Sequence, residues 1–394
     1  MMRKILCLNK ISPVGLKTLP HDYEVTGEIN EADAILVRSA VMHEMALPDN
    51  VLAVARAGAG VNNIPLDVYA KLGVVVFNTP GANANAVKEL TMAGMLLAAR
   101  DIHGGMKWVE ANKEDVEINK NMEKAKAAFA GTEILGKTVG IFGLGAVGSL
   151  VAQGARGMGM RVVAYEPSQA TVERNRPLLP NDIVLVANAD ELYAAADYIS
   201  LNVPLLPATK GMVNRESISK MKDGVIIINL ARDAIVNDDD ICEALKAGKV
   251  RRYVTDFPNH ATANMDGVVA IPHLGASTEE AEDNCAAMAV AQIVNYIENG
   301  NIVNSVNFPN IELGPNTDTH RVIVLHDANE ILSGQIIKAV ESCGVVKKMA
   351  SKIKGSFGVT LVDFVEVKCT CFEGGCLGDC LAKIPGIITI RVIH

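Results

Sequence analysis

Two short stretches of the sequence carry side chains that could do chemistry together. Arg232 lies in NLARDAIVN after an apolar run, and His273 lies in PHLGAST after another. An arginine can bind a planar carboxylate through two parallel hydrogen bonds, and a histidine can accept or return a proton near neutral pH. Alone, each is more often a surface charge or a structural residue. Here both residues lie at the ends of predicted parallel strands, where α/β sheets bind their ligands. The pair therefore indicates an enzyme that transfers a proton and a hydride from or to a small carboxylic acid.

A glycine motif supplies the element that would position a cofactor. TVGIF (138–142) predicts a buried strand, Gly143, Gly145 and Gly148 follow with the spacing GxGxxG, and a helical pattern continues to Arg156. The first glycine allows a sharp turn, the second allows close approach of a pyrophosphate, and the third allows the helix to pack on the sheet. The motif predicts a dinucleotide-binding βαβ unit. The alternative is a glycine-rich turn in another α/β protein.

An acidic residue ends the second strand of this unit. The strand is predicted over RVVAY (161–165), and Glu166 follows it directly, with no arginine in Pro167 or Ser168. A carboxylate at this place can accept hydrogen bonds from a ribose diol, and it repels a ribose 2′-phosphate. The sequence therefore favours NAD over NADP as the cofactor.

Composition restricts the class of partner. The 394 residues are 49% hydrophobic and 21% charged with a net charge of −8, which is ordinary for a soluble globular protein of two or three domains. The absence of a basic block argues against nucleic acid or an anionic membrane as a partner. There is no run of eighteen apolar residues and no signal-peptide pattern at the N-terminus, and the eight cysteines are scattered. We therefore expect a cytoplasmic protein with reduced thiols.

The order of predicted elements indicates an α/β protein with several domains. Residues 1 to about 80 read as a small α/β sheet, and residues 96–280 as a doubly wound domain with five or six parallel strands. Ser277 and Glu280 form a predicted capping box that begins a helix over 278–299. Residues 310–320 read as a linker, and residues 321–394 follow the order βαββαβ of a ferredoxin-like domain.

Several stretches together resemble the D-isomer-specific 2-hydroxyacid dehydrogenases, most closely the phosphoglycerate-oxidising members with a C-terminal ACT domain. The matching stretches are LVRS (36–39), RAGAGVNNI (56–64), NTPGANANAVKEL (78–90), LGKTVGIFGLGAVG (135–148), NVPLLPATKGM (202–212), NLARDAIVN (229–237) and PHLGAST (272–278). The resemblance implies a Rossmann-type NAD domain (96–280) inserted in a smaller flavodoxin-like substrate domain (1–95 and 281–309). An ACT-like regulatory domain (321–394) would follow the linker.

The resemblance also implies roles at matching positions. Arg232 would hold the substrate carboxylate, and His273 would be the acid/base. The residues lining the substrate would be Arg38, Ser39, Gly60, Asn83 and Arg232. The residues contacting NAD would be Gly143, Gly145, Ala146, Val147, Gly148, Glu166, Val203, Ala231, Asp256, His273 and Gly275.

The reaction implied is NAD-dependent oxidation of 3-phosphoglycerate to 3-phosphohydroxypyruvate, the first step of serine biosynthesis. The resemblance also implies a homodimer or a homotetramer. Two alternatives stay open at this point. One is a dehydrogenase for another D-2-hydroxy acid, and the other is a weakly active or non-catalytic NAD-sensing protein.

The second alternative is motivated by the residue at one catalytic position. Family members carry a Glu shortly after the aspartate that matches Asp256, and its carboxylate pairs with the catalytic His. In this chain the run is DFPNH, so His260 stands at about that position. Loss of the carboxylate should loosen the orientation of His273 and disfavour its protonated form. We expect weak or pH-shifted activity.

The C-terminal region departs from the family as well. It keeps His326 of the serine-binding ACT loop, but Ala328, Glu330 and Ile331 replace the expected Asn, Pro and Gly, and Val346 lies near the place of a second Asn. These departures argue against serine feedback.

Four cysteines of the same region could in principle form a thiolate site for zinc. They are Cys369, Cys371, Cys376 and Cys380. Because their spacing matches no standard zinc pattern, we favour small core residues and expect no metal.

Overall fold

The structure is a computed structural model that describes residues 2–366 and 376–394. The chain separates into two compact units. The first contains residues 1–82 and 282–394, and the second contains residues 83–281. Among the described residues, no helix has the length and apolar character needed to cross a membrane.

The N-terminal part of the first unit is a parallel sheet of five strands in the order β2-β1-β3-β4-β5. The elements are β1 (Arg3–Cys7), α1 (Pro13–Leu16), β2 (Tyr23–Thr26), β3 (Ala34–Val37), β4 (Ala53–Arg56), α2 (Leu66–Lys71) and β5 (Val75–Phe77), with a 3-10 turn at Ile29–Glu31. All four residues of β3 are buried. A parallel strand covered on both faces requires such a continuous apolar run, so the α/β sheet expected for this region is confirmed.

The second unit is a doubly wound α/β fold built on a parallel sheet of seven strands, whereas five or six were expected. Its strands are β6 (Thr138–Phe142), β7 (Arg161–Tyr165), β8 (Val184–Leu185), β9 (Tyr198–Leu201), β10 (Val225–Asn229), β11 (Val250–Thr255) and β12 (Val268–Ala270). Its helices are α3 (Ala84–Ala99), α4 (Ile102–Ala111), α5 (Ile118–Ala125), α6 (Ala146–Gly157), α7 (Gln169–Asn175), α8 (Ala189–Ala195), α9 (Arg215–Ser219), α10 (Asp238–Lys246) and α11 (His260–Ala263), with 3-10 turns at Lys126–Phe129, Arg176–Leu178 and Asp233–Ile235.

The strand order of this sheet decides where a ligand can bind. The order is β12-β11-β10-β9-β6-β7-β8, so the chain reverses its direction of winding between β6 and β9. Loops leave that point toward opposite faces and open a crevice at the carboxyl ends of the two strands. Val139 and Ile141 of β6 pack on one face with Val151 and Ala155 of α6, which fixes the start of α6 at this crevice.

Helix α12 (Glu279–Asn299) begins one residue later than the predicted start at residue 278. Thr278 Oγ1 accepts a hydrogen bond from the Ala281 amide at 3.1 Å. The predicted cap, Ser277, instead directs its hydroxyl to the carbonyl of His273 at 3.4 Å. The prediction of Ser277 as the cap was therefore wrong, because the loop that carries His273 uses this hydroxyl.

The C-terminal elements follow the predicted order βαββαβ and form an antiparallel sheet with the order β14-β15-β13-β16. They are β13 (His320–Asp327), α13 (Glu330–Glu341), β14 (Gly344–Lys354), β15 (Phe357–Glu366), α14 (Cys376–Ala382) and β16 (Ile387–Ile393). The segment that read as a linker is packed in part, because Ile311 is buried against Ile323 and Leu361 of this sheet. The division into three domains, with boundaries at residues 95/96, 280/281, 309/310 and 320/321, stays a prediction. The first of these boundaries falls inside helix α3.

Candidate active site

The glycine turn after β6 has the geometry that the sequence predicts. Gly143 adopts a φ of 82°, and a side chain there would meet the carbonyl of Asn202 at 2.7 Å. A Cβ on Gly148 would lie 1.9 Å from the carbonyl oxygen of Gly143, whereas a Cβ on Gly145 would meet nothing within 4 Å. The first and third glycines are therefore required by packing, and the second borders open space at the start of α6. Within the described residues, no protein acceptor pairs with the amides of Ala146 and Val147, so they can serve a phosphate.

A cavity of about 740 Å³ extends from this turn and is lined by Gly143, Gly145, Tyr165, Glu166 and Val203 among others. Four of the predicted cofactor residues, Gly143, Gly145, Glu166 and Val203, therefore share one cavity. Glu166 accepts hydrogen bonds from the amides of Leu144 at 3.0 Å and Ser168 at 2.9 Å. These bonds hold the carboxylate next to the glycine turn, where the ribose of a dinucleotide would lie.

The buried carboxylate of Asp256, at the end of β11, is suited to contact the nicotinamide half of the dinucleotide. Asp256 is 1% exposed, and its Oδ2 accepts a hydrogen bond from the Gly275 amide at 3.0 Å. Its Oδ1 has no partner among the described residues. Burial raises the pKa of this carboxyl, against the opposing effects of Gly275, His273 and Arg232. A buried acceptor without a donor is costly in a folded protein. A carboxamide N–H of a nicotinamide would satisfy it, so the residues fit NAD.

Arg232 and His273 contact the same aromatic ring. The guanidinium carbon of Arg232 lies 5.2 Å from the centroid of Phe257, and the imidazole of His273 lies 4.4 Å from it, tilted by 42°. Arg232 follows β10, Phe257 follows β11 and His273 follows β12, so three neighbouring strands deliver these groups to one edge of the sheet. Both predicted chemical residues are thus brought together.

The loops that carry these residues are held by hydrogen bonds of their own. Asn229 Oδ1 accepts from the amides of Ala231 at 3.2 Å and Arg232 at 3.3 Å, and its Nδ2 donates to the hydroxyl of Tyr253 at 3.1 Å. His273 adopts a left-handed φ of 48°, and its amide donates to the carbonyls of Asp256 at 2.8 Å and Ile271 at 3.0 Å. A non-glycine residue with positive φ is strained and occurs most often at functional sites.

His260, at the position expected for a catalytic carboxylate, does not pair with His273. It is exposed and forms the first residue of α11, which Asn259 caps by accepting from the Thr262 amide at 2.9 Å. Its imidazole makes no hydrogen bond, ion pair or ring contact with His273 within the described residues. The chain therefore offers no carboxylate partner for His273 from this position.

The predicted substrate residues of the first unit cluster at the ends of β3 and β4. Asn9 Oδ1 accepts from three consecutive amides, those of Arg38 at 3.1 Å, Ser39 at 3.0 Å and Ala40 at 2.9 Å. Arg56 Nε donates to the carbonyl of Arg38 at 3.0 Å. Gly60 lies in the turn after β4. The remaining predicted substrate residue, Asn83, belongs to the second unit, where it occupies the cap position of α3 without a side-chain cap bond.

Three residues of this cluster were missed by sequence reasoning. Arg56 places its guanidinium against the backbone carbonyl of Arg38, and Glu282 of α12 forms an ion pair with Arg38 Nη1 at 2.7 Å. Asn9 organises the loop that carries Arg38. Burial raises the pKa of the nearby Cys285 thiol, and the charges of Arg56, Arg38 and Glu282 all act on it. The position of Arg56 as the last residue of an apolar strand was the available signal. The sequence contained no comparable signal for Glu282, because its partner Arg38 is more than two hundred residues away in the chain.

Two predictions for the C-terminal region concern His326 and the four cysteines, and both stay predictions. His326 is buried, and its ring bonds to the carbonyl of Asp327 at 2.7 Å and to Thr360 Oγ1 at 3.0 Å. Cys369 and Cys371 lie outside the described residues, whereas Cys380 is exposed on α14. In the part of the chain that the structure describes, no group of three or more His, Cys, Asp or Glu residues is placed to hold a metal.

Comparison with known proteins shows the family to which the chain is related. Residues 92–275 match the family model of the D-isomer specific 2-hydroxyacid dehydrogenase, NAD binding domain. The hydroxypyruvate reductase of Thermotoga maritima is 37% identical over 67% of this chain and 85% of that protein. A D-3-phosphoglycerate dehydrogenase of Methanocaldococcus jannaschii is 32% identical over 78% of this chain and 58% of that protein. The NAD-bound 3-phosphoglycerate dehydrogenase of Entamoeba histolytica has a TM-score of 0.62 at 27% identity, over 78% of this chain and 99% of that one.

The chain belongs to the D-isomer specific 2-hydroxyacid dehydrogenase family. Its cofactor is NAD, as the glycine turn and Glu166 predicted. The match extends over little more than half the length, 58%, of the M. jannaschii relative.

Proposed function

We propose that the chain is an NAD-dependent dehydrogenase that oxidises 3-phosphoglycerate to 3-phosphohydroxypyruvate in the cytoplasm, the first step of serine biosynthesis. The observation that carries this proposal is the placement of Arg232 and His273 on one ring, beside the buried Asp256. The Arg232 guanidinium can bind the carboxylate of a 2-hydroxy acid through two hydrogen bonds. The His273 imidazole can then accept the proton of the adjacent hydroxyl.

Each protein group has a defined part in this reaction. NAD, when bound, accepts the hydride that leaves the carbinol carbon. His273 takes the hydroxyl proton, so the carbon becomes a ketone without an alkoxide forming. Arg232 keeps the carboxylate fixed and stabilises charge on the neighbouring oxygen. In the reverse direction His273 returns the proton.

The choice of a phosphorylated substrate is supported by the two arginines of the first unit. Arg56 Nε donates to the backbone carbonyl of Arg38, so both arginines lie at the ends of β3 and β4, and Asn9 holds the loop of Arg38. Guanidinium groups bind phosphate in a bidentate manner. Arg38, Ser39, Gly60 and Asn83 are accordingly proposed as substrate residues, and the M. jannaschii relative is named for phosphoglycerate.

A second candidate is the reduction of hydroxypyruvate, a smaller and less charged acid. The Glu282 carboxylate on Arg38 favours it, because a negative charge at that place opposes a phosphate. The T. maritima relative carries that name.

A substrate panel distinguishes the candidates. NADH production would be measured with 3-phosphoglycerate, glycerate and lactate, and NADH consumption with phosphohydroxypyruvate and hydroxypyruvate, from pH 6 to pH 10. A kcat/KM at least tenfold higher for the phosphorylated pair is expected. A preference for hydroxypyruvate would support the second candidate. NAD binding without turnover of any of these acids would indicate an NAD-sensing protein.

We also propose that the chain forms a homo-oligomer through α4, α5 and the 3-10 turn that follows them. These elements surround an apolar cavity of about 780 Å³ lined by Trp108, Met122 and Phe129. Met106 and Val109 are more than half exposed beside it. A second copy of this face would cover them. Light scattering that gives a monomer mass at micromolar concentration would contradict the proposal.

We propose in addition that serine is not an effector. The ring of His326 is buried and both of its nitrogens are engaged, so it has no nitrogen left for an amino acid. Isothermal titration with serine is expected to show no heat at millimolar concentrations. A saturable signal would contradict this.

A further inference from the structure

Phe257 occupies an unusual place among the groups of the active site. Its amide is held by Thr255 Oγ1 at 3.1 Å, which fixes the backbone directly after β11. Its half-buried ring contacts both His273 and Arg232. One side chain therefore contacts both the proposed acid/base and the proposed carboxylate ligand.

The remaining contacts of His273 do not determine the orientation of its imidazole. Its backbone is fixed by hydrogen bonds to the carbonyls of Asp256 and Ile271, but these bonds leave the side-chain rotation free. Within residues 2–366 and 376–394, neither ring nitrogen of His273 has a hydrogen-bond partner. A catalytic imidazole without a polar partner must be oriented by packing.

The charged groups around His273 do not orient its imidazole either. Asp256 acts on it electrostatically, but one carboxylate oxygen is taken by the Gly275 amide and the other is buried. Arg232 lies on the same ring and carries a positive charge. His260, on α11, is exposed and does not contact it. Among the residues that the structure describes, no carboxylate therefore forms a hydrogen bond with the imidazole, whereas the ring of Phe257 contacts it.

An aromatic ring can replace part of what a carboxylate does. The face of a benzene ring is electron-rich and attracts both guanidinium and imidazolium groups. The attraction is weaker than that of a carboxylate, but it also restricts the rotation of the groups that pack on the ring.

We propose that Phe257 is the positioning residue of this site, and that its ring orients the His273 imidazole and the Arg232 guanidinium in place of a carboxylate at position 260. This inference rests on the proposed function, in which those two groups bind the acid and transfer its proton. Phe257 itself touches neither the proton nor the hydride.

The test compares F257L, F257Y and F357L with the unchanged chain. Leucine keeps an apolar side chain of similar volume but removes the ring face, and tyrosine keeps the face. F357L is a matched control, because Phe357 is also half-buried and paired with one aromatic ring, that of Phe308 at 5.5 Å, in the C-terminal sheet. We expect kcat of F257L to fall about tenfold, with F257Y retaining at least a third and F357L unchanged.

The pH dependence separates positioning from a general loss of structure. Loss of the ring face disfavours imidazolium, so the acidic limb of the kcat profile should move down by about half a pH unit in F257L. An NMR titration of His273 in the full chain, assigned with H273N, should show the same shift without any substrate. Equal kcat profiles and equal titration curves for F257L and the unchanged chain would overturn the proposal.

The two readouts also separate this inference from the proposed function. If the unchanged chain turns over no 2-hydroxy acid but the NMR shift occurs, the proposed function fails and the positioning contact stands. If the chain is active and F257L behaves like F357L, the function stands and the inference fails. Should F257L not fold, as judged by circular dichroism, F257M replaces it with the same expectations.

Discussion

Arg38 and Glu282 form an ion pair in the first unit, with Arg38 Nη1 2.7 Å from Glu282 Oε1. Arg38 is the arginine that family resemblance assigns to the substrate, and Glu282 lies near the start of α12. The two side chains are 38% and 42% exposed. An ion pair this exposed contributes at most about 1 kcal/mol to the free energy of unfolding. If Arg38 binds the substrate as proposed, we expect the substrate anion to displace Glu282 from it.

Replacing Glu282 by glutamine is expected to improve the binding of anionic substrates to Arg38. The competing carboxylate is removed, and so is its repulsion of the substrate charge. The KM for 3-phosphoglycerate should fall about three- to fivefold, with less change for lactate, which has no phosphate to bind Arg38. E280Q is the control, since Glu280 is exposed on the same helix. An equal KM in E282Q and E280Q would show that Arg38 does not bind the substrate anion.

Replacing His260 by glutamate should restore a carboxylate near His273. A negative charge favours the imidazolium, so the acidic limb of the kcat profile should move up by about one pH unit, with a higher plateau from better orientation. H21E introduces the same charge at an exposed histidine of the other unit. If H260E and H21E have identical pH profiles, position 260 cannot reach His273, and the departure from the family at this position is without consequence.

Replacing Gly148 by alanine should damage the cofactor site. The added Cβ would lie 1.9 Å from the Gly143 carbonyl oxygen, so α6 or the glycine turn must move. Overpacking of this kind costs about 1–3 kcal/mol, and NAD affinity measured by titration should fall at least tenfold. G157A is the control on the same helix, because a Cβ there meets nothing within 4 Å. Unchanged affinity in G148A would mean that the pyrophosphate does not bind at this turn.

The stability of the C-terminal sheet should depend on pH through His326. Burial lowers the pKa of this imidazole below its ordinary value of 6.5, partly opposed by Asp327. As the pH falls below 6.5, the imidazole takes up a proton more readily in the unfolded chain than in the folded chain. Stability is therefore present above about pH 6.5 and is lost as the pH falls toward the lowered value. Scanning calorimetry between pH 7.5 and pH 5 should show this loss, and H326Q should show a smaller one, while H21Q behaves like the unchanged chain.

The buried pair of Arg321 and Asp363 should be a major stabilising contact of the same sheet. Arg321 Nε and Nη2 donate to Asp363 at 2.5 and 2.9 Å, and Nη1 donates to the carbonyls of Asn299 and Gly314. R321M leaves a buried carboxylate without a partner and should cost about 3–5 kcal/mol in chemical unfolding. The double variant R321M/D363L should recover part of that loss.

The matched control for this pair is R215M. Arg215 pairs with Glu243, but it is 72% exposed, so the variant should lose less than about 1 kcal/mol. Equal losses in R321M and R215M would show that burial adds nothing to the Arg321 pair.

The sequence by itself determined the elements whose signals are local. The glycine turn, the strands beside it and Glu166 lie within thirty residues, and backbone geometry at each position depends on neighbours in the chain. For that reason the βαβ unit, the NAD preference and the order of the C-terminal elements were predicted. Arg232 and His273 were identified in the same way, because each ends a strand of a sheet with known topology rules.

Only the tertiary structure decided which side chains meet. Phe257 contacts His273 and Arg232 from separate loops, Glu282 reaches Arg38 across most of the sequence, and Ile311 is buried within a segment of linker composition. Thr278 caps α12 instead of the predicted Ser277, because the Ser277 hydroxyl donates to the carbonyl of His273. Such contacts depend on the relative placement of elements far apart in the chain, and local propensity carries no information about them.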